Sequence, residues 1–113
     1  MPKIIRDMEE FVAVQILEHG IPPGQAVSNG AGEFPEHDPL EMCFCLTAVA
    51  VGSLEIGGER FRAVSDHCFS AAALLAADIY ANSLGGNTCR TLRQIRETWG
   101  DDDPFFAKND EVP

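Results

Sequence analysis

Basic residues are scarce in this sequence of 113 residues, with 8 Lys and Arg against 18 Asp and Glu. The net charge of −10 opposes binding to DNA and to anionic membrane surfaces, and it favours basic protein partners. Arg90, Arg93 and Arg96 share one face of a predicted helix, a pattern that suits phosphate contacts, but the overall charge works against it. We therefore expect neither direct nucleic-acid binding nor membrane binding, although solubility alone also accounts for such a charge.

The sequence also lacks a leader-like segment and a long apolar run. Charged residues interrupt the first eleven positions, MPKIIRDMEEF, which is not typical of a secretory signal. No apolar run approaches the ~20 residues that a membrane-spanning helix needs. These features predict a cytoplasmic protein, in the producing cell or in a host cell, whose four cysteines are reduced.

Motifs for metal binding and catalysis are missing or weak. The C-x₂-C spacing of zinc sites is absent, and Cys43 and Cys45 with His67 and Cys68 form a poor substitute. The sequence contains no phosphate-binding loop, nucleophile elbow or dinucleotide fingerprint. We therefore predict no catalytic residue, no metal and no cofactor.

A small enzyme that uses Cys68 or a carboxylate is the alternative from a different class. Cys68 lies near the N-terminus of a predicted helix, where the helix dipole lowers the pKa of a thiol. Asp78 is the only charged residue deep in that helix, and a buried lone acid would have a raised pKa. A buried structural cysteine and an acid on a wet stripe of the helix explain the same residues more simply.

The longest segment that requires burial runs from Ser65 to Gly86, and we predict that it forms a central helix. Ser65 or Asp66 is suited to its N-cap, and Gly85 with Gly86 to its end. Alanine and leucine dominate it, and apolar side chains surround most of its circumference, as in a helix buried inside a domain. The residues predicted to be buried together are Phe61, Leu74, Leu75, Ile79, Leu92 and Trp99.

The segments before residue 40 are predicted to form one helix and one loop. Apolar residues recur at helical spacing between Lys3 and His19, and Gly20 followed by two prolines ends the pattern. Residues 21–39 hold four of the seven prolines, which predicts a long loop.

Residues 40–64 carry conflicting signals. The motif DPLE at residues 38–41 resembles a capping box with proline at its first helical position, which favours a helix. The following residues are rich in Cys, Phe, Thr and Val, and IGGE at residues 56–59 is typical of a two-residue hairpin turn. About that turn, Glu55 would pair with Arg60 across the strands. We therefore predict a β-hairpin over residues 40–64, with a helix over residues 40–51 as the alternative.

The remaining segments complete a single domain of the α+β class. Residues 87–99 are predicted to form a last helix, and residues 100–113 an acidic tail. The predicted fold is a small antiparallel hairpin or sheet packed against an N-terminal amphipathic helix and two C-terminal helices, which cover one face of the sheet.

Charge is distributed unevenly along the chain, and this distribution carries the functional prediction. Residues 1–59 hold ten acids and two bases, residues 60–98 three acids and five bases, and residues 99–113 five acids and one base. Carboxylates can take the place of phosphates and pair with Lys and Arg on a partner.

We therefore predict a small acidic interaction protein without enzymatic activity. Its partner would be a larger basic protein or nucleoprotein complex, whose nucleic-acid-binding surface it would occlude. By analogy of size and charge, phage and mobile-element inhibitors such as anti-CRISPR proteins act in this way. An adaptor subunit that docks through the DDDPFF tail is a further alternative. The residues predicted to bind the partner are Glu10, Glu18, Glu33, Phe34, Glu36, Asp38, Asp101, Asp102, Asp103, Phe105 and Phe106.

Overall fold

The computed structural model describes residues 3–99 and residue 106, with only the backbone described for residues 3–6. Every regular element among them is helical, and none is a β-strand. The first helix, α1, continues into a five-residue π-helical segment, Val14–Glu18. The α-helices are α1 (Lys3–Ala13), α2 (Pro23–Glu33), α3 (Pro39–Ile56), α4 (Glu59–Leu84) and α5 (Leu92–Arg96).

The predicted α+β fold is wrong, because residues 40–64 form a helical hairpin and not a β-hairpin. The Asp38 carboxylate caps α3 by accepting a hydrogen bond from the backbone N–H of Leu40 at 2.8 Å, and Pro39 starts the helix. Gly57 and Gly58 have φ values of 82° and 91°, but they join two antiparallel helices. The capping signal was the better guide, because helix-to-helix packing outweighs the β propensity of individual residues.

Small side chains form the seam between α3 and α4. The Cys43 thiol donates a weak hydrogen bond to the backbone carbonyl of Ala72 at 3.7 Å, which shows where the two helices meet. Such a seam lets the two backbones approach closely and pack at the density of a protein interior. The small residues that are buried on these helices are Cys45, Ala50, Ser53, Ser65, Cys68 and Ala71.

The helix α1 packs against α3 on one side of this hairpin. Met8, Val12 and Ile16 are buried and recur every four residues, so they form the inner side of α1 and its π-helical segment. The predicted helix over residues 3–19 is confirmed, and Gly20 ends it with a φ of 66°.

The predicted loop over residues 21–39 is wrong for its first part, which forms α2. Pro23 opens this helix, and Ala26, Val27 and Ala31 are buried. A Cβ atom at Gly30 would lie 2.5 Å from the Met42 side chain, so glycine permits a close approach to α3. Burial therefore compensates for the low helix propensity of this glycine-rich segment.

The predicted central helix is longer than expected and is not buried all round. It begins at Glu59 and not at Ser65. Leu75 is fully buried and Phe61 and Ile79 are partly buried, whereas Leu74 is 43% exposed. The apolar residues around most of the circumference of α4 therefore do not mean that the helix is buried on every side.

The chain after α4 is attached through Trp99. Its indole N–H donates a hydrogen bond to the Asp78 carboxylate at 3.2 Å, and its ring stacks on Phe106 with centroids 4.8 Å apart. The last helix is shorter than predicted, and Thr91 begins it through a reciprocal capping box with Gln94. Apart from Phe106, the predicted acidic tail lies outside the described residues.

We expect Leu75→Ala to lower the free energy of unfolding by about 2–5 kcal/mol, because it leaves a cavity in the core. Leu74→Ala is the matched control, since the same atoms are removed from an exposed position, and it should cost less than about 1 kcal/mol. Urea unfolding measures both values. Equal losses for the two variants would contradict this orientation of α4.

Two glycine substitutions should shift stability in opposite directions. Gly58→Ala should destabilise the protein by about 1–3 kcal/mol, because its positive φ strains any residue with a Cβ. Gly52→Ala should stabilise it by about 0.5–1 kcal/mol, since this glycine lies inside α3 with no atom within 4 Å of an added Cβ. Thermal unfolding followed by circular dichroism tests both, and a rise in Tm for Gly58→Ala would contradict the turn.

Candidate interaction surface

Acidic side chains dominate the part of the molecule formed by α1, α2 and the loop before α3. From Asp7 to Glu59 the chain contains ten Asp and Glu residues and neither Lys nor Arg. Arg6 directly precedes this stretch and Arg60 directly follows it, and the acids between its two ends have no Lys or Arg beside them in the sequence. The only Lys or Arg partners available to them come from outside the stretch.

An open groove of about 510 Å³ lies in this acidic part, between α1, the π-helical segment and the end of α2. Asp7, Glu10 and Glu33 provide carboxylates to it. Phe11 and Phe34 meet edge to face in the same groove, with ring centroids 5.5 Å apart and an interplanar angle of 76°. The residues that line this acidic groove are Asp7, Glu10, Phe11, Val14, Gln15, His19, Glu33 and Phe34.

Hydrogen bonds link the π-helical segment to α2 and so hold the two sides of the groove together. The Asn29 side-chain N–H donates to the Gln15 side-chain oxygen at 2.7 Å, and Gln25 donates to Asn29 at 3.0 Å. The backbone N–H of Ile21 donates to the carbonyl of Gln15 at 2.9 Å. π-Helical turns occur frequently at functional sites, because the widened turn redirects side chains.

Three of the predicted partner-binding residues meet in the acidic groove, namely Glu10, Glu33 and Phe34. Glu18 is exposed on the π-helical segment but does not line the groove. The prediction missed Asp7, which precedes Glu10 by three residues on the same side of α1. The three-residue spacing places Asp7 beside Glu10 on the surface of α1, whereas Met8 is on the buried side. This spacing could have identified Asp7 from the sequence.

Glu36 and Asp38 have partners within the molecule. Glu36 forms an ion pair with Arg93, in which both side chains are more than half exposed. Asp38 caps α3, as described above. Exposed ion pairs of this kind contribute little to stability, about 0–1 kcal/mol.

The predicted aromatic anchor at Phe106 is 2% exposed because it stacks on Trp99. Docking through this side chain would first require breaking that stack. Asp101, Asp102, Asp103 and Phe105 lie outside the described residues.

The arginines near α5 lie against the acidic loop. Arg93 pairs with Glu36, so this basic side chain is neutralised within the molecule. Such an arrangement disfavours phosphate binding by the arginine face. A shallow cavity of about 420 Å³ is lined by Arg90 together with Glu36, His37, Asp38 and Glu41.

Burial of the cysteine side chains argues against a nucleophilic thiol. Loss of solvent raises the pKa of Cys43 and of Cys68 to about 11. Burial, with the nearby carboxylates of Glu9 and Glu41, raises the pKa of Cys45 to about 12. These thiols are therefore protonated at neutral pH, and the thiolate is the reactive form. Within the described part of the chain, no three His, Cys, Asp or Glu side chains converge to hold a metal ion.

A second cavity of about 600 Å³ has a different chemical character. It lies between the start of α2, the end of the π-helical segment and α4, and most of its lining is apolar. Arg60 and His67 are its only charged or titratable lining residues. None of the predicted partner-binding residues contributes to it.

No protein-family model, curated protein or solved structure matches this chain. The anti-CRISPR and phage-inhibitor assignments therefore gain no support beyond the analogy of size and charge, and we do not adopt them. Function has to be argued from the surface itself.

Labelling with iodoacetamide should leave Cys45 and Cys68 unmodified in the native protein at neutral pH, because both thiols are buried and protonated. In urea all four cysteines should react quickly, which provides the control for reagent activity. Peptide mass spectrometry identifies the modified positions. Rapid native modification of Cys68 would revive the cysteine-enzyme alternative.

Proposed function

We propose that this protein is a non-enzymatic interaction protein that binds a basic surface of a larger protein through its acidic groove. One observation carries the proposal: Asp7, Glu10 and Glu33 line an open groove with the ring pair of Phe11 and Phe34. Among the lining residues that the structure describes, none is Lys or Arg.

The groove offers a cation two kinds of favourable contact. Carboxylates form charge-assisted hydrogen bonds with a guanidinium or an ammonium group. Aromatic faces attract the same cation, and rings also pack against the aliphatic stem of Lys or Arg. Arginine is the better fit, because its planar group can stack on a ring while its N–H groups reach carboxylates.

Acidic residues continue from the groove toward the start of α3. Phe34 contacts the His37 ring with centroids 5.2 Å apart, and His37 pairs with Glu41 at 3.0 Å. Glu36 and Asp38 lie between these residues in the sequence, and both are exposed. An extended basic segment can therefore engage the groove and this loop together.

Proteins that bind nucleic acid present basic surfaces of this kind. Carboxylates in the groove would occupy the positions that phosphates otherwise take, and the two ligands would compete. The net charge of −10 would accelerate the encounter with such a surface at low ionic strength.

A charge-matched pair of variants tests the proposal. The groove variant carries Glu10→Gln and Glu33→Gln, and the control carries Glu55→Gln and Glu59→Gln, so both lose two negative charges. The probe is a fluorescent oligo-arginine peptide, followed by partners captured from the native or host cell with each variant as bait. We expect the groove variant to bind at least about tenfold more weakly than the control, which is about 1.4 kcal/mol.

Salt and competition complete this test. Binding should weaken steeply with added salt, since surface charges are screened over about 8 Å at physiological ionic strength. Captured partners should be released by added nucleic acid. Equal binding by the two variants would mean that only net charge matters, and binding that is flat in salt would refute the proposal. Replacement of Asp101, Asp102 and Asp103 by Asn measures the contribution of the tail.

A further inference from the structure

The α3–α4 hairpin has a face that the other helices leave uncovered, and its side chains are apolar. On α3 the exposed residues follow a 4-3-4-3 spacing, which places them on one stripe of the helix. The α3 stripe consists of Leu40, Phe44, Thr47, Val51 and Leu54, and the α4 stripe of Phe69, Ala73, Ala76 and Tyr80.

The two stripes lie side by side on the same face of the hairpin. Cys43 and Ala72 meet at the seam, and Phe44 and Ala73 are the residues that follow them. Each following residue is turned by 100° about its helix axis, and in antiparallel helices these two turns lead to the same side. Every member of both stripes directly follows a buried or partly buried residue in the same way.

The apolar face formed by these two stripes is at the upper end of the size found for the largest apolar patch of a monomer. Its six large side chains are between 40% and 65% exposed. With roughly 150–250 Å² for a whole aromatic side chain, they leave on the order of 500–600 Å² of apolar surface open. The largest apolar patch on a typical monomer covers about 300–600 Å², and it often marks an interaction site.

Charge is absent from the middle of this face. α3 has no charged residue between Glu41 and Glu55, and α4 has none between Asp66 and Asp78. The Thr47 hydroxyl donates to the carbonyl of Cys43 at 2.9 Å, so its one hydrogen-bond donor is satisfied within α3. Contact between two copies at this face therefore brings no like charges together in its middle.

Side-chain size on the two stripes is self-complementary. The α3 stripe presents the bulky residues Leu40, Phe44, Val51 and Leu54, while the middle of the α4 stripe presents Ala73 and Ala76. Bulky side chains of one helix pack into the spaces above alanines of another. A two-fold axis creates this match twice, because each copy offers both a bulky and a small stripe.

We propose that the apolar face is a homodimer interface, in which the α3 stripe of one copy packs on the α4 stripe of a second copy to form a four-helix bundle. The open apolar area, with the alanines and the polar rim, approaches the roughly 800 Å² per partner of a standard stable interface. Arg62 and Asp66 at one end of the face provide opposite charges for that rim.

A lipid bilayer is the competing occupant of such a surface. Among the described helices, only α3 meets the length and composition of a membrane span, with a mean hydropathy of 1.5 over 18 residues, and 39% of that span is buried. The core helix of a soluble protein can have the same length and composition. Interfacial binding relies on Lys and Arg beside the apolar face, whereas this chain carries −10 overall.

The test compares the oligomeric state of the full chain with that of two charge variants. Analytical ultracentrifugation of the parent should give about twice the 12.3 kDa of one chain at micromolar concentration. Phe44→Glu places a charge in the middle of the face and should weaken the dimer at least about 30-fold. Leu74→Glu is the control, because Leu74 is similarly exposed on α4 but off the stripe, and it should leave the dimer intact.

Each outcome decides for or against the proposal. Circular dichroism checks that both variants fold, and Val51→Glu gives an independent second substitution on the stripe. A monomeric parent, or a dimer that survives both stripe variants, would overturn it. So would a parent that is monomeric in solution but co-sediments with phosphatidylcholine vesicles. The expected dimer should persist in high salt, because its interface is apolar, whereas binding of a basic partner to the acidic groove should weaken. The dimer proposal and the proposed function can therefore fail independently of each other.

Discussion

The packing of α3 against α4 is the contact on which the rest of the structure depends. Its seam of small residues, where Cys43 meets Ala72, decides which side chains of both helices remain outside. On one side the hairpin supports α1 and α2, which together form the acidic groove. On the other side it aligns the α3 and α4 stripes. A change in this register would rotate both surfaces, since each is defined by its angle from the seam.

The local signals at Gly20 and Asp38 predicted helix ends correctly, although α4 begins at Glu59 and not at the predicted Ser65. The amphipathic pattern of α1 and the stop at Gly20 were sufficient, because one side of that helix faces the core and the other faces water. α3 has no such contrast, since its inner side is core and its outer side is also apolar. Without a polar face, its composition resembled that of a buried strand. The cap at Asp38 was independent of this ambiguity, and it was right.

The candidate site was predictable in part, for reasons that individual residues illustrate. Glu10 and Glu33 were singled out by charge, and tertiary structure brings them to one groove. Phe106 was assigned to partner binding because aromatic tails often dock, but its stack on Trp99 depends on a contact that sequence spacing does not encode. The apolar circumference of α4 was interpreted as burial within one chain. Burial between two chains produces the same pattern, because a homodimer interface resembles a core divided between two copies.

The two proposed surfaces would reinforce each other through geometry. The acidic groove is formed by α1 and α2, and the apolar face lies on the side of the hairpin that these helices leave uncovered. A dimer would therefore carry two grooves and twice the negative charge without burying either groove. A partner with two basic sites at a matching distance would then be held by both, and such bivalent binding can exceed the single-site affinity by about 10²–10⁴. Weak individual contacts, as expected for exposed charges, would in this way yield a stable complex.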